Sequence, residues 1–185
     1  MDPKTQATTA VALLTPLVDG TRTDQLDVQT PCSQWKVRDL INHVVGGGYM
    51  FATGLRGETL DGDPAADLLG GDHRGAYHGA IDAFSAALAD ADDLDSPVTL
   101  PFGTLPTAAA LQLAAGDLLV HAWDLATATG QSFEPPVDFV DSSYAFFQFA
   151  VNDDLRAAGL FGPAVDVSAE AAPFVKLLAH AGRAA

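Results

Sequence analysis

The sequence predicts an all-α protein, a four-helix bundle with a long loop after the second helix and a short C-terminal helix. Apolar residues recur at helical spacing through most of the 185-residue chain. Residues 56–74 are rich in Gly and Asp and show no sustained period, which is typical of a loop. Residues 96–106 contain three prolines and a glycine, where a short strand or hairpin can form. Long helices with little strand favour an antiparallel-type bundle.

The first half of the chain supplies three of these helices. The first is predicted over residues 4–19, with Pro16 disturbing its last turn because proline lacks a backbone donor. The second runs from about Val37 to Leu55, after the turn-forming segment "TPCSQW", residues 30–35. The third is predicted over residues 75–92. The inward positions of the second helix are Leu40, Ile41, Val44 and Gly48.

The second half of the chain supplies the remaining helices. The fourth begins at Thr107, which we expect to cap it, and ends at Gly130, since glycine is common just after a helix C-terminus. The fifth begins after Pro135-Pro136 and stops at Gly159. A short terminal helix is predicted over residues 171–181. The helically spaced side chains expected in the core are Val140, Tyr144, Phe147 and Val151.

Composition limits the classes of protein and partner. The chain is 48% hydrophobic, which is enough for one packed domain over residues 1–185. Its formal charge of −15 argues against a nucleic-acid or anionic-membrane partner, because both surfaces are negative. We find no signal-peptide pattern and no apolar stretch near the ~20 residues of a membrane helix. The single cysteine, Cys32, fits a reducing cytoplasm and is interpreted as a structural or exposed thiol.

Three titratable side chains share the apolar side of the fourth helix. In "GDLLVHAWDLATATG", residues 116–130, Asp117, His121 and Asp124 fall within about 60° of one another at roughly 100° per residue. A buried carboxylate is costly unless it is paired, protonated or bound to a metal. The i, i+4 spacing lets Asp117 and His121 reach a common atom. This pair is therefore half of a candidate metal site.

A third ligand is available on the second helix. His43 lies at the edge of the inward stripe, and Gly47, one turn later, leaves room beside it. We therefore predict His43, Asp117 and His121 as the metal ligands. The pattern leaves alternatives open: an ordinary buried histidine, a hydrogen-bonded Asp117–His121 pair, or Asp124 as the ligand or as the acceptor of an imidazole N–H. The histidines judged less favourable by position are His73, His78 and His180.

The segments "TPCSQWKVRDLINHVVGG" and "AAGDLLVHAWDLATATG" together resemble the DinB/YfiT-like superfamily of helical-bundle metalloproteins. Within it, nearly the whole chain is similar to the branch of the N-terminal domain of mycothiol-dependent maleylpyruvate isomerase. The resemblance implies a four-helix bundle that binds a divalent metal, usually zinc, through His43, Asp117 and His121. Asp117 stands where the isomerase often carries Glu. Lys36 stands where relatives carry a Thr that caps the second helix.

The resemblance favours a metal-dependent low-molecular-weight thiol S-transferase or a related enzyme, acting on a mycothiol-like thiol and an electrophile. Three protein ligands leave a fourth position open, as in catalytic zinc sites; nickel and iron are the alternative metals. Asp124 is the predicted catalytic residue, either orienting a ligand imidazole or acting as a base. We expect the separate C-terminal domain of the full isomerase to be absent, so that isomerase activity itself does not carry over.

The predicted ligand set also allows two other functions. Two histidines and one carboxylate also form the iron site of non-haem oxygenases, although such sites do not usually come from a helical bundle. A metal-containing module that binds a small molecule without catalysis is the second rival. A homodimer is left open.

Overall fold

The computed structural model of the protein describes residues 1–58, 66–157 and 159–185. A short 3₁₀ turn, Thr23–Gln25, follows the first helix, and the strands β1 (Pro97–Leu100) and β2 (Gly103–Pro106) form an antiparallel hairpin. The helices are α1 (Pro3–Gly20), α2 (Val37–Leu55), α3 (His73–Asp90), α4 (Thr107–Thr129), α5 (Val137–Ala150), α6 (Asp153–Ala157) and α7 (Pro173–His180). The predominantly helical content of the described residues confirms the all-α prediction.

The four long helices α1 to α4 form the bundle. α1 packs along α4, α2 packs along α3, and contacts between α2 and α4 close the bundle. α2 and α3 approach closely at Gly48, where a Cβ would lie 3.2 Å from the carbonyl oxygen of Ala80. The hairpin packs on α2, while α5 packs on α4 and contacts α7. The four-helix bundle and the short C-terminal helix are thus both confirmed.

The apolar interior consists of two clusters that meet along α4. The smaller cluster surrounds the hairpin and includes Phe51, Phe84 and Ala114. The larger includes Ala115 and the two buried leucines of α7. Asp117 therefore lies two residues after the junction of the two clusters. The predicted inward residues of α2 are all buried, as are Val140, Phe147 and Val151, whereas Tyr144 is partly exposed.

Two details of the first three helices differ from the prediction. α1 continues to Gly20 past Pro16, because the buried Leu17 and Val18 hold its last turn although proline donates no backbone hydrogen bond. α3 begins at His73, earlier than predicted, since the Asp72 side chain accepts a hydrogen bond from the Gly75 N–H at 2.9 Å. The predicted bounds of α2 are confirmed.

The start of α4 also differs from the prediction. Pro106 occupies the N-cap position, so Thr107 is the first helical residue and does not cap the helix with its side chain. Instead, Thr107 Oγ1 donates to the carbonyl oxygen of Ser96 at 2.9 Å, which ties α4 to the segment before the hairpin. Gly130 has a φ of +72° and ends the helix as predicted.

The fifth predicted helix is interrupted. α5 ends at Ala150, and α6 begins at Asp153 because Asn152 Oδ1 accepts a hydrogen bond from the Leu155 N–H at 3.1 Å. The predicted continuation to Gly159 also crosses residue 158, which lies outside the described residues.

The loop predicted over residues 56–74 is described only in part, because residues 59–65 lie outside the described residues. Residues 56–58 and 66–72 are non-helical. Asn42 on α2 holds the second part: its Nδ2 donates to the Ala66 carbonyl at 3.0 Å, and its Oδ1 accepts from the Leu68 N–H at 2.8 Å. In the described parts of the chain, every helix is too short or too polar to cross a membrane.

Candidate metal centre

The structure brings His43, Asp117 and His121 together. α2 contributes His43, and successive turns of α4 contribute the other two. His43 Nε2 lies 3.2 Å from Asp117 Oδ2, and His121 Nε2 lies 3.4 Å from Asp117 Oδ1. One ligand atom of each side chain lies within 4.8 Å of those of the other two. Among residues 1–58, 66–157 and 159–185, this is the one group of at least three His, Cys, Asp or Glu side chains whose ligand atoms lie this close together.

The spacing of these atoms fits a divalent cation. Ligands about 2.1 Å from a tetrahedral zinc ion lie about 3.4 Å from one another. The two nitrogen-to-oxygen distances of 3.2 and 3.4 Å are close to that separation. Imidazole nitrogen and carboxylate oxygen are also the donors that zinc, nickel and iron accept. The residues therefore fit the metal that the family resemblance implies.

The candidate centre has one open side and one closed side. The side chains of His43 and Asp117 are 37% and 32% exposed, whereas that of His121 is 5% exposed. Solvent therefore reaches the cluster from the side of His43 and Asp117. The opposite side, behind His121, is closed by protein.

Asp124 lies on this closed side. Its Oδ2 is 3.0 Å from His121 Nδ1, and its side chain is fully buried. When the His121 ring is neutral, as metal binding requires, an N–H on Nδ1 that donates to Asp124 leaves the lone pair of Nε2 facing Asp117 and His43. Asp124 thus contacts the ring nitrogen of His121 that faces away from the cluster.

Arg183 also contacts Asp124 and was not singled out from the sequence. Its Nη2 donates to Asp124 Oδ2 at 2.8 Å, across 59 positions of the chain. The side chain is buried beside the end of α7. No periodicity marks this arginine; the available signal is that it is one of only two Lys or Arg residues in the apolar C-terminal segment "FVKLLAHAGRAA".

Trp35 forms an aromatic wall beside both histidines. Its ring centroid lies 4.6 Å from that of His43 and 5.4 Å from that of His121. Thr30 fixes the backbone of Trp35, because its N–H and its Oγ1 both donate to the Trp35 carbonyl, at 3.0 and 2.7 Å. From the sequence, Trp35 was placed only in a turn; the available signal was an aromatic residue just before the helix that carries His43.

Without a metal, the pKa values of Asp117 and His121 are both shifted by their neighbours. Burial alone would raise the pKa of Asp117, but nearby His121 and His43 outweigh burial and hold this pKa well below its ordinary value. Burial alone would lower the pKa of His121, but Asp117 and the hydrogen bond to Asp124 raise it to about 9. In the metal-free protein both ring nitrogens of His121 are therefore protonated at neutral pH, and a metal must displace the proton on Nε2.

Cys32 lies half-buried in the loop before α2. Arg183 is the cation that acts on its thiol, whereas Lys36 pairs with Asp27 at 3.0 Å. Burial raises the pKa of the Cys32 thiol and outweighs the opposing effect of Arg183. A thiol that stays protonated at neutral pH is a poor nucleophile, which supports the structural interpretation.

The other histidines lie apart from the cluster. His73, predicted in the loop, is the first residue of α3 and is buried, with Nε2 at 3.3 Å from the Thr21 carbonyl oxygen. His180, expected to be uninvolved near the chain end, has Nε2 at 3.0 Å from the Phe147 carbonyl oxygen. His180 therefore links α7 to α5 rather than lying free.

A helical bundle that gathers two histidines and an aspartate between α2 and α4 belongs to the DinB-like class of proteins. Within that class, the chain belongs to the family described as the mycothiol maleylpyruvate isomerase N-terminal domain, whose sequence model matches residues 7–126. This range contains His43, Asp117, His121 and Asp124. It ends within α4, so α5 to α7 and Arg183 lie beyond it.

Relatives match almost the whole chain. The uncharacterized proteins Rv0738 and MT0763, from two strains of Mycobacterium tuberculosis, are each 32% identical to it over 184 residues. Each match covers 99% of this chain and 98% of the relative. The segment after residue 126 is therefore shared with these relatives.

Solved structures show the same fold. Crystal structures of the mycothiol-dependent maleylpyruvate isomerase and of a mutant of it match with TM-scores of 0.62 and 0.61, at 15% and 13% sequence identity. Each match covers 78% of this chain, and 68% and 66% of the respective isomerase chains. The chain thus spans about two thirds of the isomerase structures that it matches. The predicted resemblance and the predicted bundle are both confirmed.

Proposed function

We propose that this protein is a divalent-metal-dependent enzyme that activates a low-molecular-weight thiol of the mycothiol type toward an electrophilic small molecule, as a thiol S-transferase or a related enzyme. The observation that carries the proposal is the convergence of His43, Asp117 and His121 in a chain of the mycothiol maleylpyruvate isomerase N-terminal domain family. Zinc is the favoured metal because the family resemblance implies it. Nickel and iron are the alternatives, since they also accept imidazole and carboxylate ligands.

The open side of the centre supports a catalytic rather than a structural metal. Structural zinc sites use four protein ligands, whereas three ligands leave a position for a substrate. A divalent cation bound there would supply one function, which is to lower the pKa of a coordinated thiol so that the thiolate forms at neutral pH. The partial exposure of His43 and Asp117 supports access of the thiol from their side.

A small apolar crevice lies beside Asp117, with a cavity volume of about 20 Å³. Asp117 is its one charged lining residue, and the crevice has room for about one water molecule, so it borders the proposed site of the electrophilic partner without enclosing that partner. Space remains at Gly47, where an added Cβ would meet no heavy atom within 4 Å. The other residues that line the crevice are Val44, Gly48, Phe51, Ile81, Phe84, Ala114 and Leu118.

Asp124 is proposed to position His121 rather than to act as a base. It lies against Nδ1 of His121, the ring nitrogen opposite the one that faces the cluster. Its oxygens already accept hydrogen bonds from His121 and Arg183. A carboxylate in this place fixes the tautomer and orientation of a ligand imidazole.

Cobalt substitution tests the proposal. Cobalt-loaded protein mixed with mycothiol should develop an intense charge-transfer band in the near ultraviolet, because thiolate ligation to cobalt produces such a band. The His43→Ala variant is the matched control, since it removes a ligand from the open side; we expect it to show no band. Glutathione and bacillithiol, used in parallel, report the selectivity for the thiol.

Each outcome of this experiment separates the competing functions. A band with mycothiol, together with a metal-dependent reaction of an electrophilic small molecule, supports the enzyme. Cobalt binding without a band for any of the thiols would contradict thiol activation and favour the non-catalytic metal-containing binding module. The cytoplasmic location and the homodimer stay predictions.

A further inference from the structure

We infer that Arg183 is a positioning residue of the metal centre, which acts from the C-terminal segment through Asp124 on the ligand His121. This inference rests on the proposed metal centre and adds to it a residue beyond the part of the chain that the family match covers. The contacts run in series, from the Arg183 guanidinium to the Asp124 carboxylate and then to His121 Nδ1.

The guanidinium is held in a fixed orientation. Nη2 donates to Asp124 Oδ2 at 2.8 Å, Nε lies 3.3 Å from both oxygens, and Nη1 donates to the Ala181 carbonyl at 2.7 Å. Arg183 is 9% exposed and Asp124 is fully buried. A charged pair that is buried and joined by several hydrogen bonds has one geometry, which it imposes on its third partner, His121.

Charge explains why Asp124 needs this arginine. A buried carboxylate is stable only with a countercharge, and a histidine that binds a metal must be neutral. With the metal bound, Arg183 is then the cation hydrogen-bonded to Asp124. It keeps Asp124 an anionic acceptor, which orients the imidazole and increases its basicity toward a metal.

The fold delivers Arg183 to this place through a tight turn after α7. Leu177 and Leu178 are buried and anchor α7 in the larger apolar cluster. Gly182, with a φ of +86°, reverses the chain, and the Arg183 N–H donates to the Leu178 carbonyl at 2.8 Å. A Cβ at Gly182 would approach the Pro163 carbonyl oxygen to 3.1 Å. Both the positive φ and this close approach therefore favour glycine at this turn.

Zinc affinity of purified Arg183 variants, measured by competition with a chromogenic chelator, tests the inference. We expect Arg183→Gln to weaken zinc binding by about 10- to 100-fold, the range for loss of a partner that orients a metal-binding histidine. Arg183→Lys should fall between Arg183→Gln and the unaltered protein, because lysine keeps the charge but lacks the planar fork. The d–d absorption of the cobalt-loaded Arg183→Gln variant should also change, since the geometry at His121 is less constrained.

Arg156→Gln is the matched control. Arg156 holds the same C-terminal segment, because it donates to the His180 carbonyl at 2.8 Å and to the Gly162 carbonyl, but its hydrogen bonds do not include Asp124. We expect this variant to lower the melting temperature while zinc affinity stays within about twofold, since the contacts of His121 are intact.

The outcomes distinguish this inference from the proposed function. Unchanged zinc affinity in folded Arg183→Gln protein, or equal losses in the Arg183 and Arg156 variants, would overturn the positioning role and leave the metal centre standing. Failure of the unaltered protein to bind zinc would overturn the centre itself. If Arg183→Gln does not fold, zinc affinity is compared in Arg183→Lys, in Asp124→Asn and in the double variant. A loss of zinc affinity in the double variant that is smaller than the sum of the two single losses supports an effect of Arg183 through Asp124, whereas additive losses contradict it.

Discussion

The two histidines of the candidate centre have different surroundings, although both present Nε2 to Asp117. His43 lies on the open side, partly exposed beside Trp35, and its Nε2 contact is with Asp117. His121 lies on the closed side, where Asp117 contacts one ring nitrogen and Asp124 the other. The first environment leaves a ligand free to adjust and gives access to solvent. The second fixes a ligand by hydrogen bonds and burial.

This difference separates two requirements of a metal-dependent enzyme. An exchangeable position needs access, whereas ligand geometry needs buried and fully hydrogen-bonded partners. We therefore expect substitutions on both sides to weaken metal binding, but those on the closed side to lower the stability of the metal-free protein more.

His121→Ala should have the largest effect. Loss of a residue that hydrogen-bonds to a metal ligand lowers metal affinity by about 10- to 100-fold. The loss of zinc affinity in His121→Ala should be larger, because a ligand itself is removed. The free energy of unfolding of the metal-free protein should fall by about 1–3 kcal/mol, since buried Asp124 loses a hydrogen-bond partner. Chelator competition and denaturant titration measure the two quantities.

His73→Ala is the control for that variant, because His73 is also a buried histidine. We expect it to cost stability without changing zinc affinity, since its ring contacts a backbone carbonyl rather than the cluster. Comparable losses of affinity in both variants would contradict the assignment of His121 as a ligand.

His43→Ala should lose zinc affinity to a similar degree but cost less stability. Its contact with Asp117 is partly exposed, so the free energy of unfolding without metal should change by less than about 1 kcal/mol. The same two titrations measure this. A loss of stability as large as that of His121→Ala would remove the distinction between the open and the closed side.

The stability of the metal-free protein should decrease at alkaline pH. The pKa of His121 is raised from 6.5 to about 9 in the folded protein. Its imidazolium therefore contributes stability that is fully present below about pH 6.5 and is lost as the pH rises through about 9. Thermal melts in chelator should show this decrease, which His121→Ala should lack. An equal decrease in both proteins would mean that another group causes it.

The smallest effect is expected from His78→Ala. His78 pairs with Asp19 at 2.8 Å, but both side chains are 46% exposed. Exposed pairs of this kind contribute about 0–1 kcal/mol, so stability should change little and zinc affinity not at all. A clear loss of zinc from this variant would show that affinity does not report on the cluster alone.

Most of the helices were predictable because their apolar spacing and end signals are local. α2 was predicted with the right bounds, and Gly130 marked the end of α4. The errors occur where a local signal competes with packing or with a better cap. Leu17 and Val18 outweigh Pro16 in α1, and Asn152 starts a new helix where continuous periodicity predicted one.

The convergence of His43, Asp117 and His121 was predictable, since i, i+4 spacing and facing helices bring such residues together. The positions of Trp35 beside the two histidines and of Arg183 behind Asp124 were not predictable. Trp35 comes from a loop held by Thr30, and Arg183 arrives through a turn after α7. Trp35 meets His121, and Arg183 meets Asp124, across many positions of the chain, and periodicity does not report such contacts.

The metal content of the protein shows whether His43, Asp117 and His121 form a metal centre. Protein purified without a chelating column should contain about one equivalent of divalent metal per chain by elemental analysis, because the ligand atoms of His43, Asp117 and His121 already converge. His43→Ala and His121→Ala, purified in parallel, should contain little. Absence of metal from the unaltered protein even after incubation with zinc, or an equal metal content in all three proteins, would show that these side chains are not the ligands of a metal.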